Sequence, residues 1–403
     1  MDAHGQSAAE NRGQTWLDAA FWAWGVFIVA VSVKTFVVPE KHSVYPMFAQ
    51  GARHWWHDES LYADYSALDL DLFRYSPTFA VAMTPLAVLP DRLGGLLWNL
   101  LSIGVLVAAL QRAVADVLPG TWSARQMGLF WGLTLAGAVR GIWSAQNNTL
   151  LIAFVLLAAS AIARRRFWEA ALLLAAAVFI KVWPLALVML LVLWWPWALG
   201  SRFLAATAAL AAVPFLTRPW QAVLAQYGDW GAILVQTRTR RWPSYRDAWT
   251  IWEATGAPHG PTAYLVLQLS GALGVLAWCL VKCRRSRDVR CRLTCILAAW
   301  VAWQMLLGPG TERQTYMIMA PVTAWAVVAS VAQRRGRTLA LAAWLMTGLL
   351  GIGGLERALE PHSTPAQAIL PLGALVFAVW LVQHRWEDEP EAGPAWATRS
   401  SSA

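Results

Sequence analysis

Moving a proton from a hydroxyl that is about to react needs a carboxylate or an imidazole held in a fixed place. In this sequence Glu40 directly follows Pro39, where the first long apolar run ends, so a rigid element anchors it. His42 stands two residues further on and titrates near neutral pH when unperturbed. Both are candidate bases. Asp69 and Asp71 come next because they lead directly into the stretch FRYSP (73–77). Asp58, Glu59 and Asp64 read as solvated loop charges.

The complementary chemistry is anion binding. Lys181 interrupts the apolar runs LLLAAAVFI and VWPLALVMLL, a costly place for an ammonium group without a partner. A phosphate or carboxylate would stabilise it there; snorkelling to the interface is the bland alternative. Arg140 lies one helical turn before the corner SAQNN (144–148) and could share the same anion. Arg313 sits in TERQTY (311–316) beside Glu312, which is also its simplest partner. The stretch RTRRWPSYRDAW (238–249) interleaves arginines with aromatics and suits anionic headgroups or a phosphate-bearing lipid, if it is more than a solvated loop. Trp55, Trp56 and Trp242 could stack on a sugar ring.

These residues need elements to carry them, and composition says which kind. The 403-residue chain is 58% hydrophobic and 14% charged, with 27 Trp, and its mean hydropathy is +0.45. A soluble domain carries about 25% charged residues, so this chain lacks the charge to cover a water-exposed surface. Several runs approach the ~20 apolar residues that cross a bilayer. The expected fold is an all-α integral membrane protein of about 12 transmembrane helices. The first run, 16–38, is too long for a signal-peptide core and has no small-residue cleavage site after it, so it counts as a span.

The net charge of +9 does not point to nucleic acid, because Lys and Arg gather in short clusters between apolar runs. With a cytoplasmic N-terminus, the clusters at 164–166, 282–292 and 334–337 all fall on the cytoplasmic side; the arginines of 238–246 run against this pattern. Two long outer loops result, 39–92 and 218–262. The apolar but short stretch SPTFAVAMTPLAVLP (76–90) then reads as a helix lying along the outer surface. Residues 1–14 and 384–403 are expected to be disordered cytoplasmic ends flanking one membrane domain, 15–383. The four cysteines, at 279, 283, 291 and 295, lack a nearby His and CxxC spacing, so they read as reduced thiols rather than a zinc site.

The ordered set Tyr45, LY (61–62), FRYSP, PLAVLP (85–90), Trp98, QNN (146–148), RRR and FIKVWPLAL (179–187) resembles glycosyltransferase family 87, the polyprenol-phosphate-mannose-dependent mannosyltransferases. The resemblance covers roughly 38–200 well and the remainder loosely. It implies a GT-C-type multi-helix bundle whose first outer loop, with membrane-parallel helices, forms much of the active site. It also implies inverting transfer of mannose or another hexose from a polyprenyl-phosphate donor to a lipid or envelope glycan acceptor. That reaction would take place on the outer face of the plasma (inner) membrane.

On that reading Arg74 joins Lys181, Arg140 and Arg313 on the donor phosphate, and Tyr45, Tyr75, Gln146, Asn147, Glu312 and Tyr316 line the substrate. No cofactor is implied, and a divalent ion is possible without being indicated. The chain departs from the family where an Asp usually precedes the Tyr aligned with Tyr45: here the residues are Glu40-Lys41-His42, and TERQTY lacks a His. Glu40 or His42 could serve instead. A polyisoprenyl or glycolipid transporter and a catalytically inactive assembly subunit are the alternatives.

Overall fold

The computed structural model describes residues 3–63, 71–239, 242–258, 260–286, 288–350 and 364–386. Asp64 and Asp69 of the first loop fall outside these residues, as does most of the late loop 354–366. Among the described residues the chain is helical and carries no strand, only an isolated bridge between Tyr245 and Glu312. Among the described residues six helices are long and apolar enough to cross a membrane, and four more are apolar but shorter. Large apolar side chains such as Trp22 and Leu216 point outward from them, as lipid-facing helices require.

The helices are α1 (Ala3–Val37), α2 (Tyr45–Trp56), α3 (Pro77–Ala87), α4 (Asp91–Arg112), α5 (Ala124–Trp143), α6 (Asn148–Ala163), α7 (Phe167–Ile180) and α8 (Pro184–Val192). They continue as α9 (Ser201–Ala212), α10 (Trp220–Thr239), α11 (Ala248–Ala254), α12 (Pro261–Arg285), α13 (Val289–Leu307), α14 (Ala320–Gln333), α15 (Arg337–Trp344) and α16 (Ile369–Gln383). Helix α1 begins at Ala3, so the polar stretch expected to precede it as a disordered end is helical instead. Its Ala, Gln and Glu are good helix formers, and no proline stops propagation towards the N-terminus. At the other end, His384 and Trp386 do not leave the fold but pack on Trp325, with ring centroids 5.5 and 5.6 Å away.

Cross-contacts fix which helix ends share a level. Helices α1 and α5 run parallel: Gly128 abuts the main chain of Trp16, and Lys34 donates to the Trp143 carbonyl at 3.1 Å. A Cβ at position 128 would come within 2.5 Å of the Trp16 carbonyl carbon, so glycine is what lets the two backbones approach. At one end of the bundle, Ser160 donates to Asp116 (2.5 Å), Arg290 to the Val114 carbonyl (3.0 Å) and Thr294 to the Val117 carbonyl (2.8 Å). Arg202 lies over Trp168 and Arg292 over Trp194 at that same end. The short arginine-rich connections, 164–166 and 282–292, therefore meet at one pole, the basic end.

The opposite end collects the other connections. The Val44 N–H donates to Ser144 (3.0 Å), Ser76 Oγ to the Phe179 carbonyl (2.6 Å) and Asn148 to the Gln314 carbonyl (3.4 Å). Helices α2 and α3 belong wholly to this end. Helix α2 starts beside Ser144 and finishes with Trp55 donating to Thr217 at 3.1 Å. Helix α3 starts against Phe179 and finishes where the Leu86 carbonyl accepts from Tyr45 at 2.8 Å. With both ends of each helix at the same pole, the pair lies across the bundle rather than through it. All four cysteines are buried and unbridged.

Candidate active site

The site is built around FRYSP. Residues 71–74 carry no regular secondary structure, but burial alternates along them: Phe73 and Tyr75 are buried, Leu72 and Arg74 half-buried. Phe73 and Tyr75 turn inward into a cluster with Phe48 and Phe79, where the Phe48–Tyr75, Phe73–Tyr75 and Tyr75–Phe79 centroids lie 5.1–5.3 Å apart. Arg74 is thereby directed to the other side. Ser76 ends the segment by capping α3: its hydroxyl accepts from the Phe79 N–H while donating to Phe179. Pro77 occupies the first helical turn, where no N–H is needed.

Arg74 is the hub. One terminal nitrogen donates to Asp71 at 3.1 Å and the other to Glu312 at 3.5 Å. Its guanidinium lies 4.9 Å from the Trp242 ring, and its carbonyl accepts from the Trp230 indole at 3.4 Å. Its Nε is buried without an acceptor among the described residues. Glu312 also accepts from Ser244 at 3.3 Å and caps the turn Arg313–Met319 reciprocally with Thr315. A backbone link from Arg246 to the Thr311 carbonyl (2.7 Å) and a Tyr316 hydroxyl bond to the Arg246 carbonyl (2.9 Å) strap the segment 242–247 to this turn.

Lys181 completes the cluster at the end of α7, where its backbone leaves the helix for an extended conformation. Burial lowers its pKa to about 8; nearby Glu312 pulls the other way, while Arg74 adds to the depression. Tyr75 is pushed well above the usual phenol range by burial and then by Glu312, so its hydroxyl stays neutral. The Asn147 amide acts on that hydroxyl, yet neither its oxygen nor its nitrogen makes a well-formed hydrogen bond. Two cations and two carboxylates thus balance, and several polar atoms lack partners among the described residues. Buried polar groups in native structures are normally satisfied, so these are positions where a bound polar group can supply the missing acceptors and, for the Asn147 oxygen, a donor.

The structure brings together Asp71, Arg74, Tyr75, Asn147, Lys181 and Glu312 from four distant stretches. The other candidates lie elsewhere. Glu40 and His42 are exposed on a turn that packs on the SAQNN corner through Val44 and Ser144, and His42 has a positive φ of 52°. Asp69 is outside the described residues. Tyr45 is fully buried and bonded to the Leu86 carbonyl, the position of a framework residue. Gln146 is buried within the corner, and Arg140 lies a turn below it, its carbonyl accepting from the Ser144 hydroxyl at 2.9 Å. Tyr316 is a buried strut, and Arg313 is half-buried beside Glu312.

Trp230 gives no signal in the sequence, and Ser244 only shares the arginine-rich stretch 238–249 without standing out in it. They reach the site only because α10 and the segment after it fold back over Arg74. Among the described residues no group of three or more His, Cys, Asp or Glu is arranged to hold a metal ion.

Comparison with known proteins bears on this arrangement. The model of glycosyltransferase family 87 matches residues 73–309, a span that begins at FRYSP and includes Asn147 and Lys181. A polyprenol-phosphate-mannose-dependent alpha-(1-2)-phosphatidylinositol pentamannoside mannosyltransferase of Mycolicibacterium smegmatis is 27% identical over 307 residues, covering 72% of this chain and 69% of its own. Its namesake from Mycobacterium tuberculosis is 25% identical over 302 residues, covering 72% of this chain and 66% of its own. GPI mannosyltransferase 1 of Trypanosoma brucei brucei is 28% identical over 144 residues, 35% of this chain and 31% of that protein. The crystal structure of ArnT from Cupriavidus metallidurans bound to undecaprenyl phosphate aligns with 90% of this chain and 77% of its own at 17% identity, with a TM-score of 0.41. Since the family model spans more than half of the sequence, including the hub arginine and the lysine opposite it, this multi-pass membrane protein belongs to glycosyltransferase family 87 and is a glycosyltransferase.

Proposed function

We propose that the protein transfers a hexose, mannose by analogy with its relatives, from a polyprenyl-phosphate donor to a hydroxyl of a lipid or envelope glycan. The convergence of Arg74 and Lys181 with two carboxylates at one pole of the bundle carries this reading. The basic end faces the cytoplasm under the positive-inside rule, which puts the site on the outer face of the plasma membrane, with α2 and α3 lying along that surface in a GT-C-type arrangement. Arg74, through its unpaired Nε, and Lys181 hold the donor phosphate. Asp71, whose side chain is 60% exposed beside Arg74, takes the proton of the acceptor hydroxyl. The oxygen attacks C1 from the opposite face, the bond from C1 to the phosphate oxygen breaks, and polyprenyl phosphate leaves with both electrons between the two cations. The configuration at C1 inverts.

Glu40 is the second reading for the base, because its turn packs on the corner that presents Asn147. The test is a transfer assay with the full chain in proteoliposomes and a polyprenyl-phosphate hexose. General-base removal costs on the order of 10²–10⁴-fold in rate. Asp71→Asn should show such a loss while Glu40→Gln keeps most activity; the reverse result moves the base to Glu40. Donor binding unchanged in both Arg74→Gln and Lys181→Gln would remove the phosphate assignment altogether.

A further inference from the structure

Helix α13 carries a polar side chain that no contact accounts for. Gln304 is wholly buried in an apolar stretch, yet neither its Nε2 nor its Oε1 has a hydrogen-bond partner among the described residues. Its backbone carbonyl is occupied, accepting from the Thr311 hydroxyl at 3.0 Å. Its side chain lies against Gly308, where a Cβ would come within 2.2 Å of Nε2. An unmet amide in a protein interior is costly, so this one calls for a partner from outside the chain.

Packing places that amide beside the donor site. Helix α12 covers Trp303 and Leu307: the Trp303 indole donates to the Gln268 carbonyl at 3.4 Å, and Leu307 meets Gly271. Gln304 follows about 100° further round the helix, and Trp300, one turn earlier, shares its face. Trp300 meets Trp183 with ring centroids 5.8 Å apart, and the Trp183 ring lies 6.0 Å from the Lys181 ammonium. On the other flank α13 packs on α6 and on the turn Arg313–Met319, where Asn148 donates to the Gln314 carbonyl at 3.4 Å.

The unmet atoms in this region are of both kinds. Among the described residues Asn147 Nδ2, Gln304 Nε2 and Trp300 Nε1 are donors without acceptors, and Asn147 Oδ1, Asn148 Oδ1 and Gln304 Oε1 are acceptors without donors. All four residues are at most 1% exposed. A phosphate or carboxylate meets only the first set, and a cation only the second. A hydroxyl donates and accepts at once, so neighbouring hydroxyls of a sugar ring can satisfy both ends of one amide.

We propose that Gln304 is a specificity-determining residue that reads the hydroxyls of the transferred sugar, its amide bridging two of them while Asn147, Asn148 and Trp300 meet others. This rests on the donor site proposed above and adds its sugar half: phosphate on Arg74 and Lys181, hexose between α13 and the start of α6. A sugar lacking one of those hydroxyls leaves the amide unmet and is discriminated against on that ground.

The test is a pair of binding isotherms on the full chain in detergent micelles, one with a polyprenyl-phosphate hexose and one with polyprenyl phosphate lacking the sugar. Wild type is compared with Gln304→Met, which keeps the side-chain length and removes the amide. The Kd of the hexose-bearing lipid should rise roughly tenfold in the variant, as expected for the loss of two neutral hydrogen bonds, while that of bare polyprenyl phosphate stays unchanged. Without lipid, the variant's thermal midpoint should equal or exceed that of wild type, because hydrocarbon replaces an unmet amide. A hexose affinity unchanged in Gln304→Met overturns the inference and leaves the phosphate site standing. A lower thermal midpoint with weaker binding of both lipids makes Gln304 a framework residue and overturns it as well. Wild type that binds neither lipid overturns the proposed function, and the sugar assignment falls with it.

Discussion

Lys181 offers a quantitative check on the phosphate site. Its ammonium is partly stripped of water, and its pKa lies at about 8 in the empty protein. The proposed donor is a phosphodiester and keeps a single negative charge from pH 6 to 10, so the lysine is the titrating partner. A negative phosphate favours the protonated lysine, so binding draws on the charged fraction of the free site. That fraction is about 90% at pH 7, about half at pH 8 and about 10% at pH 9, one pH unit being a factor of ten. The donor Kd should therefore change little below pH 7.5 and rise about tenfold between pH 7 and pH 9.

The rise should level off where neutral lysine binds unaided. Two charges about 4 Å apart in an environment of intermediate polarity interact by about 4 kcal/mol, which sets the upper limit of the loss. In Lys181→Arg the guanidinium stays charged throughout, so the profile should be flat. The assay is a binding isotherm for a polyprenyl-phosphate hexose in detergent micelles at half-unit pH steps. A wild-type Kd that is flat from pH 7 to 10 would refute the reasoning. So would the same break persisting in Lys181→Arg, since the titrating group would then be a different one.

Three further outcomes follow from particular contacts. Arg74→Lys keeps the charge but cannot reach Asp71 and Glu312 together; with charge-assisted hydrogen bonds worth about 1.5–3 kcal/mol, kcat/KM should fall roughly 10- to 150-fold in the transfer assay. Tyr316→Phe removes the bond to the Arg246 carbonyl that straps 242–247 down, and should cost about 1 kcal/mol in thermal unfolding and reduce donor affinity. Gly94→Ala drives a methyl group against the Tyr45 hydroxyl and the Leu86 carbonyl, so it should destabilise by about 1–3 kcal/mol. Adding Tyr45→Phe should not restore it, because the Leu86 backbone blocks the same space.

Some of this was written in local sequence. The apolar runs, the arginine clusters and the prolines at 77, 85 and 90 act over one or two helical turns, and they are enough to specify a helical bundle with a basic pole and a short separate helix at Pro77–Ala87. Lys181 stood out for the same local reason, a charge where neighbouring residues leave it no water. The identity of its neighbours is a different kind of fact. Arg74 and Glu312 are 238 residues apart, and nothing in either segment names the other. Glu40 looked like the best-anchored carboxylate because Pro39 precedes it, yet it is the alternation of Phe73, Arg74 and Tyr75 about an aromatic cluster that aims a charge into the site. Tyr45 reads as a substrate residue in sequence and is buried against Gly94 in space. Trp230 and Ser244 belong to the site only because a distant loop is strapped over it. Sequence alone determined which groups are costly to bury; which of those groups meet was decided by how the helices pack, because contact between distant segments is a property of the tertiary fold.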